Sequence, residues 1–482
     1  MDKLYCFAFF FCFCSYGQSL VRVEPQNFTS VFSFGTNGNF NTNEVAVFGY
    51  DAMFPNGVNK LYLFNSATGM TPNGVLQAPE TNQKLGGGIE MTDNYLYVGS
   101  SSNTTNVLNG GAVYVFKKVN NVWTYLLKIQ PSFQFENDYF GSNIVFHNNQ
   151  LFITAAGYDS SGSPTVNNGA IYVYNQTNDT FAFQQVLTGV AGNFSFGTSV
   201  EIENDMLVTT SGNLTADSVH TLKKINAVWQ LVNTTQMPAF DFAVGQPYVP
   251  NFWRASFSNE KLYLYHILED SQSMLGQKMI KIYNWSNSLS EWTFAENFMF
   301  TEGDYLEYKV KVKGNNIFIV PVGEYILQIE RKNPAYHYKF NGATWSYYNG
   351  YTGMSTITND NFGFFTLIKD NKVLFGNSSE RWNSPVTPNN GGAYTLDVTL
   401  STNQYERPVV NVYPNPTDGM TTIDFLNSVI SSVEIYDSLG KMVFEQKSES
   451  SLLNLSHLKS GIYFCKIISV DNEVAYQKII KR

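Results

Sequence analysis

A short phrase recurs along the 482 residues and reads, in its best copies, Tyr-Phe-Gly, an apolar strand, a two-residue polar turn and a second apolar strand. Its landmark glycine, or the residue aligned with it, stands at Gly35, Gly86, Gly141, Gly197, Trp253, Glu307 and Gly363, so successive copies lie 51 to 56 residues apart. One unit of this size cannot bury its own apolar face. Copies must stack on each other, and the interval is therefore a statement about tertiary structure.

Within the copy from Tyr139 to Thr154, two apolar runs flank Asn148-Asn149. Matching turns are Asp93-Asn94, Asn204-Asp205, Asn259-Glu260, Gly314-Asn315 and Asp370-Asn371, mostly residues that tolerate the positive φ of a two-residue hairpin. A third strand follows a longer polar loop, as in Gly111 to Phe116, Gly169 to Tyr174 and Gly392 to Leu396, and its alternation predicts a half-buried strand. A fourth precedes the next landmark, as in Trp123 to Ile129 and Phe181 to Leu187. Four antiparallel strands per unit, about seven times over, predict an all-β, seven-bladed β-propeller across residues 18–400. Aromatics at 16% and charged residues at 14% suit short strands and turns, and no convincing helix appears. Units five and six lack the glycine, which leaves six or eight blades open beside seven. The last unit supplies only three strands, and Leu20 to Glu24 is expected to complete it as the outer strand.

The first 17 residues carry one basic residue, an apolar stretch and then the small residues Ser15 and Gly17, and read as a signal peptide cut before Gln18. The stretch is too short for a membrane anchor. Three of the four cysteines leave with it, so Cys465 alone remains and no intramolecular disulfide is expected. A net charge of −9 argues against nucleic acid as a partner, because phosphate binding needs a positive face.

With Phe140-Gly141, Phe196-Gly197 and the run Gly169 to Tyr174, the repeat resembles the FG-GAP family, the propeller repeat of integrin α subunits and many secreted bacterial proteins. Members often carry an Asp-rich calcium loop between the first two strands. Here a two-residue turn such as Asn148-Asn149 replaces it and cannot supply six oxygen ligands, so no metal and no cofactor are expected.

Residues 401–408 read as a linker, and 409–482 as a small seven-strand sandwich. This last segment is similar to the type A C-terminal sorting domain of the type IX secretion system of Bacteroidetes. The resemblance rests on Tyr413, Pro414, Asn415, Pro416 and Gly419, on the late Gly461 with Ile462-Tyr463, and on the basic final strand with Lys478 and Lys481. It implies handling by that secretion machinery, removal of the domain and a secreted or surface-attached propeller. Asp217-Ser218-Val219 and Asp437-Ser438-Leu439 are candidate O-glycosylation sites of the kind such bacteria use.

No catalytic constellation emerges. His147, His220, His266, His337 and His457 read as structural or solvated, and none has metal-ligand spacing. Glu201 and Glu203 share a strand face and read as a solvated edge. The loops between second and third strands should converge on one face, where partners usually bind in family members. Tyr158, Asp159, Glu269, Asp270, Arg381 and Trp382 are its candidate ligand-binding residues, Trp382 as a stacking platform for a sugar or an anchor for a protein. The expected function is a non-enzymatic binding module for an extracellular protein or glycan. A secreted polysaccharide-acting enzyme with carboxylates from different blades, or a structural surface spacer, are the alternatives.

Overall fold

In a computed structural model of the chain, the residues described are 20–23, 33–50, 59–65, 72–81, 83–159, 168–189, 194–212, 217–237, 252–267, 278–300, 308–321, 334–353, 362–363, 365–377, 391–398, 410–425, 430–437, 440–447, 450–469 and 474–482. Two compact units divide the chain, Met1–Val398 and Thr399–Arg482. The expected signal peptide and the linker lie outside the described residues.

The first unit contains seven four-stranded antiparallel sheets among its described residues. Each of six sheets runs its strands in chain order, as in Phe140–His147, Gln150–Ala155, Ala170–Thr177 and Thr180–Thr188. The seventh comprises Phe365–Lys369, Lys372–Asn377 and Gly392–Asp397, and its fourth strand is Val21–Val23 from the other end of the chain. Val21 pairs with Thr395, Arg22 with Tyr394 and Val23 with Ala393. The expected closure of the last sheet is therefore realised.

The cores are the interfaces between sheets. Ala46 and Phe48 of the first sheet pack with Leu96 and Val98 of the second, and Val113 and Val115 of the second with Leu151 and Ile153 of the third. The series continues round to Leu374 and Ala393 of the seventh, which share a core with Val45 and Val47 of the first. Such a series closes only if the sheets form a ring. The architecture is a β-propeller.

This arrangement corrects one expectation. The third strands are buried on both faces rather than half-buried, as at Ala112 to Phe116 and Ala170 to Tyr174. Every sheet is covered on both sides by neighbours, so interior strands lose their solvent face.

The hairpins between first and second strands follow the sequence reading. His147 pairs with Gln150 across Asn148 and Asn149, with φ of 48° and 58°. Ser258 pairs with Lys261 across Asn259 and Glu260, with φ of 53° and 55°.

The Phe-Gly and Gly-Ala phrases turn out to be two halves of one contact. Gly111, at the head of a third strand, lies against Phe140 at the head of the next sheet, and a Cβ on it would come within 2.1 Å of the Phe140 carbonyl oxygen. Gly169 meets Phe196 in the same way, at 2.3 Å from the carbonyl oxygen. Gly391 of the last sheet meets Phe34 of the first at 2.0 Å.

A second device joins neighbouring sheets. Trp123, on a fourth strand, donates its indole N–H to Glu44 Oε2 of the preceding sheet at 3.1 Å. Trp229 donates to Gln150 Oε1 at 3.0 Å and lies edge-on to Phe152, and Trp292 donates to Thr221 Oγ1 at 2.8 Å.

The second unit has a three-stranded sheet of Val410–Tyr413, Met420–Phe425 and Leu452–Asn454, and a four-stranded sheet of Ile430–Tyr436, Met442–Gln446, Gly461–Ser469 and Val474–Lys481. Its core is built on Ile423, Val433, Ile435, Leu453, Cys465 and Ile467. Burial pushes the Cys465 thiol up to about 12, so this cysteine is a packing residue.

Candidate functional site

Four of the six predicted ligand-binding residues, Glu269, Asp270, Arg381 and Trp382, lie outside the described residues. Tyr158 is half-buried and meets Tyr172 edge-on at 6.1 Å between ring centres. Asp159 is only 2% exposed. It is turned into the protein rather than presented on a loop. Ser218, a candidate for glycosylation, is 3% exposed within a strand, which denies a glycan access, and Ser438 lies outside the described residues.

At the opposite end of the ring, the hairpin turns between first and second strands line an open cavity of about 740 Å3. Consecutive sheets contribute His147, Glu203 with Asn204, Asn259, Lys313 to Asn316, and Asp370 with Asn371. In the fourth, fifth and sixth sheets the first strand alternates, so the residue just before its turn and the one two positions earlier point to the ring's centre while the residue between them enters the core. In the sixth sheet Val310 and Val312 are buried apolar residues and Lys311 and Lys313 face inward.

Neighbouring inner strands are joined through these side chains. Glu203 receives Lys313 Nζ at 2.5 Å, Ser258 Oγ at 3.0 Å and the N–H of Asn259 at 2.6 Å. One layer deeper, Glu201 accepts from Ser256 Oγ at 3.2 Å, from Lys311 at 3.2 Å and from the N–H of Phe257. The serines return the link by accepting backbone N–H groups of the sixth sheet, Val312 to Ser256 at 3.2 Å and Gly314 to Ser258 at 3.0 Å. Glu201 and Glu203 are thus bound into a three-sheet ladder and are not a solvated edge. Burial works against the charge of Lys311, yet the Glu201 carboxylate outweighs it and holds the ammonium above its ordinary value. Lys369 plays the same part elsewhere in the ring. It sits 2.5 Å from Glu90, whose carboxyl is lifted by burial while the lysine opposes the rise.

His147 belongs to the cavity wall, with its Nε2 2.8 Å from the carbonyl oxygen of Asn204 in the next sheet. The sequence alone places it at a hairpin turn in a structural or solvated role. The signal was present in the alignment of turns, because the position before each turn is polar in every copy that lines the cavity. His220 and His337 are structural, as expected. Ser211 Oγ and Thr234 Oγ1 hold both ring nitrogens of His220, at 2.7 and 3.0 Å, and burial depresses it to about 4. His337 stacks on Phe318 at 4.2 Å, and burial, reinforced by Lys339, depresses it to about 3.

In the C-terminal unit the two ends of the expected motif meet. Asn415 accepts the N–H of Ile480 at 2.8 Å and donates to the Lys478 carbonyl at 2.5 Å, and Thr417 N–H donates to the Ile480 carbonyl at 2.9 Å. Tyr413-Pro414 and Asn415-Pro416 are both cis. Gly419 has φ +149° and a Cβ there would lie 2.4 Å from Ser456 Oγ. Lys481 is 9% exposed, whereas Lys478, Tyr413, Pro414 and Pro416 are exposed. A Cβ on Gly461 would meet only the Tyr463 ring, at an ordinary 3.8 Å, so close packing does not demand a glycine there.

Residues 411–482 match the family model described as a secretion system C-terminal sorting domain. The C-terminal unit is a type IX sorting domain. The chain is accordingly exported to the cell surface or secreted. No helix among the described residues is long and apolar enough to cross a membrane. Among curated proteins, an ulvan lyase of Nonlabens ulvanivorans is 28% identical over 143 residues, covering 28% of this chain and 25% of the lyase. The chain thus spans about a quarter of the length of that relative. Similar solved structures include the WD40 domain of Toxoplasma gondii coronin, at 10% identity and TM-score 0.46 over 80% of this chain and 86% of that one. The β-propeller domain of the Trilobed protease from Pyrococcus furiosus is another, at 10% identity and TM-score 0.41 over 72% and 92%. Strand pairing, rather than these likenesses, carries the propeller assignment.

Proposed function

We propose that the exported propeller is a binding module for an extracellular glycan, taken at the mouth lined by the first-to-second-strand turns. The observation that carries this reading is the cavity of about 740 Å3 whose wall is amide-rich, with Asn204, Asn259, Asn315, Asn316 and Asn371, and mixed in charge. Amides both donate and accept, which matches sugar hydroxyls, and a cavity of this size holds a few sugar rings. Of the two acidic residues on its wall, Glu203 is committed to Lys313 and Ser258, which supports binding over catalysis by that carboxylate. The kinship to FG-GAP repeats is part of this proposal. Its support is the Phe-Gly to Gly-Ala contact recurring at three junctions.

The test is a glycan-binding screen of the secreted protein, repeated with His147→Ala, Asn315→Ala and Asn371→Ala. A glycan that binds the parent and loses tenfold or more in affinity with the variants supports the site. Equal affinity in all proteins, or no glycan bound, overturns it. The segment shared with the ulvan lyase favours a second reading, an enzyme acting on polysaccharide. Release of new chain ends from a bound polysaccharide by the parent protein would replace the first reading with this one.

A further inference from the structure

Two buried carboxylates meet at the junction of the second and third sheets, away from the cavity just described. Asp138 lies in the connection that leads from Val122–Ile129 to Phe140–His147, and Asp159 follows Gln150–Ala155. They are 1% and 2% exposed. Asp138 Oδ2 accepts the N–H of Phe135 at 2.8 Å, and the same carboxylate accepts the N–H of Asp159, which ties the two loops together. Gly157 N–H adds a bond to the Asp138 carbonyl at 3.1 Å. The Oδ1 atom of each aspartate is buried and has no hydrogen-bond partner.

Among the described residues, no lysine or arginine is one of the groups that act on either carboxylate. Burying one unpaired carboxylate costs several kcal/mol, and two that repel each other cost more. The scaffold does not require them. At the position of Asp138 the second and fourth sheets carry Gln83 and Phe194, and at the position of Asp159 the second sheet carries Thr104. Something positive must therefore offset the pair at this one junction.

We propose that Asp138 and Asp159 bind a divalent cation of the calcium type, with one Oδ1 from each as its charged ligands. The donors are hard carboxylate oxygens, which suit calcium over zinc and softer metals. Backbone carbonyls and water complete such a shell in many calcium sites. The site is distinct from the hairpin turns, which remain too short to hold a cation. It revises the sequence-based expectation of a metal-free propeller at another place in the repeat. The cation would fasten the connection between two sheets to the loop above the third.

The rival occupant is a proton. Burial, with the neighbouring Asp159 charge adding to it, raises Asp138 to about 6, so an unmetallated pair would share one proton in mild acid. The experiment uses the secreted protein stripped with chelator and then titrated with calcium chloride, reading the thermal midpoint and, by calorimetry, the stoichiometry. The expected result is a midpoint that rises saturably with one calcium per chain in the parent and stays flat in Asp138→Asn and in Asp159→Asn. If Asp138→Asn does not fold, Asp159→Asn with the calorimetric titration decides alone. Equal calcium shifts in parent and variants overturn the proposal. So does a parent that ignores calcium while its midpoint falls as pH rises through about 6.

Discussion

Gly391 stands against Phe34 across the junction between the last and first sheets, in the same contact that Gly111 makes with Phe140 and Gly169 with Phe196. The ring is closed by the repeat's own contact, with no special seam. The contact explains why the two phrases occur together at these three junctions. Where Phe-Gly is replaced by Trp253 and Glu307, the preceding third strands also lack a glycine, beginning at Ser218 and Met279.

Gly391→Ala should weaken this closure. Its φ of +80° costs a side chain about 1–2 kcal/mol, and the clash with the Phe34 backbone adds to that. Gly314→Ala, at φ +57° with nothing within 4 Å, should cost the backbone term alone. Urea unfolding of the two variants should therefore differ, with Gly391→Ala the less stable. Equal midpoints would remove closure from the account.

Trp229→Ala removes a buried ring, its bond to Gln150 and its edge contact with Phe152 at once. The expected loss is about 3–5 kcal/mol, the usual cost of truncating a buried tryptophan. A loss under about 1 kcal/mol in denaturant titration would show that the sheets hold together without it.

Acid should destabilise the propeller between about pH 6.5 and 4. His220 and His337 are depressed by burial to about 4 and about 3, so the folded state binds fewer protons than the unfolded one. The stability they contribute is complete above the ordinary value of 6.5 and is lost as pH falls through the folded values. Asp138 acts with the opposite sign in chelated protein, its share being present at low pH and lost as pH rises through about 6. The comparison is therefore His220→Gln against the parent across pH 4–7. The variant should flatten the slope by about one proton, and parallel curves would contradict the assignment.

Gly419→Val should block export. The residue's φ of +149° and its approach to Ser456 leave no space for a side chain at the turn that brings Asn415 and Thr417 to the final strand. Immunoblots of cells and medium should find the variant retained in cells. Normal release would show that this turn is dispensable for sorting.

The hairpin turns, the closing strand and the sorting motif were legible because each is local or repeats in register. Asn148-Asn149 announces its turn through backbone preference alone. The ladder from Glu203 through Ser258 to Lys313 was not legible, because its ends are 110 residues apart and each looks like ordinary strand polarity. Asp159 misled for the opposite reason. A loop position and a charge suggested exposure, whereas the adjoining connection with Asp138 folds over it. The Trp123 and Trp229 clamps were hidden because each has its partner in another sheet.

Val21 and Thr395 are partners separated by 374 residues. The strand made first waits for nearly the whole array before it finds its place, and loop closure over such a distance is entropically slow. The seventh sheet therefore cannot gain its outer strand until Gly392–Asp397 has been made, and shutting the ring is a late event in the life of the chain.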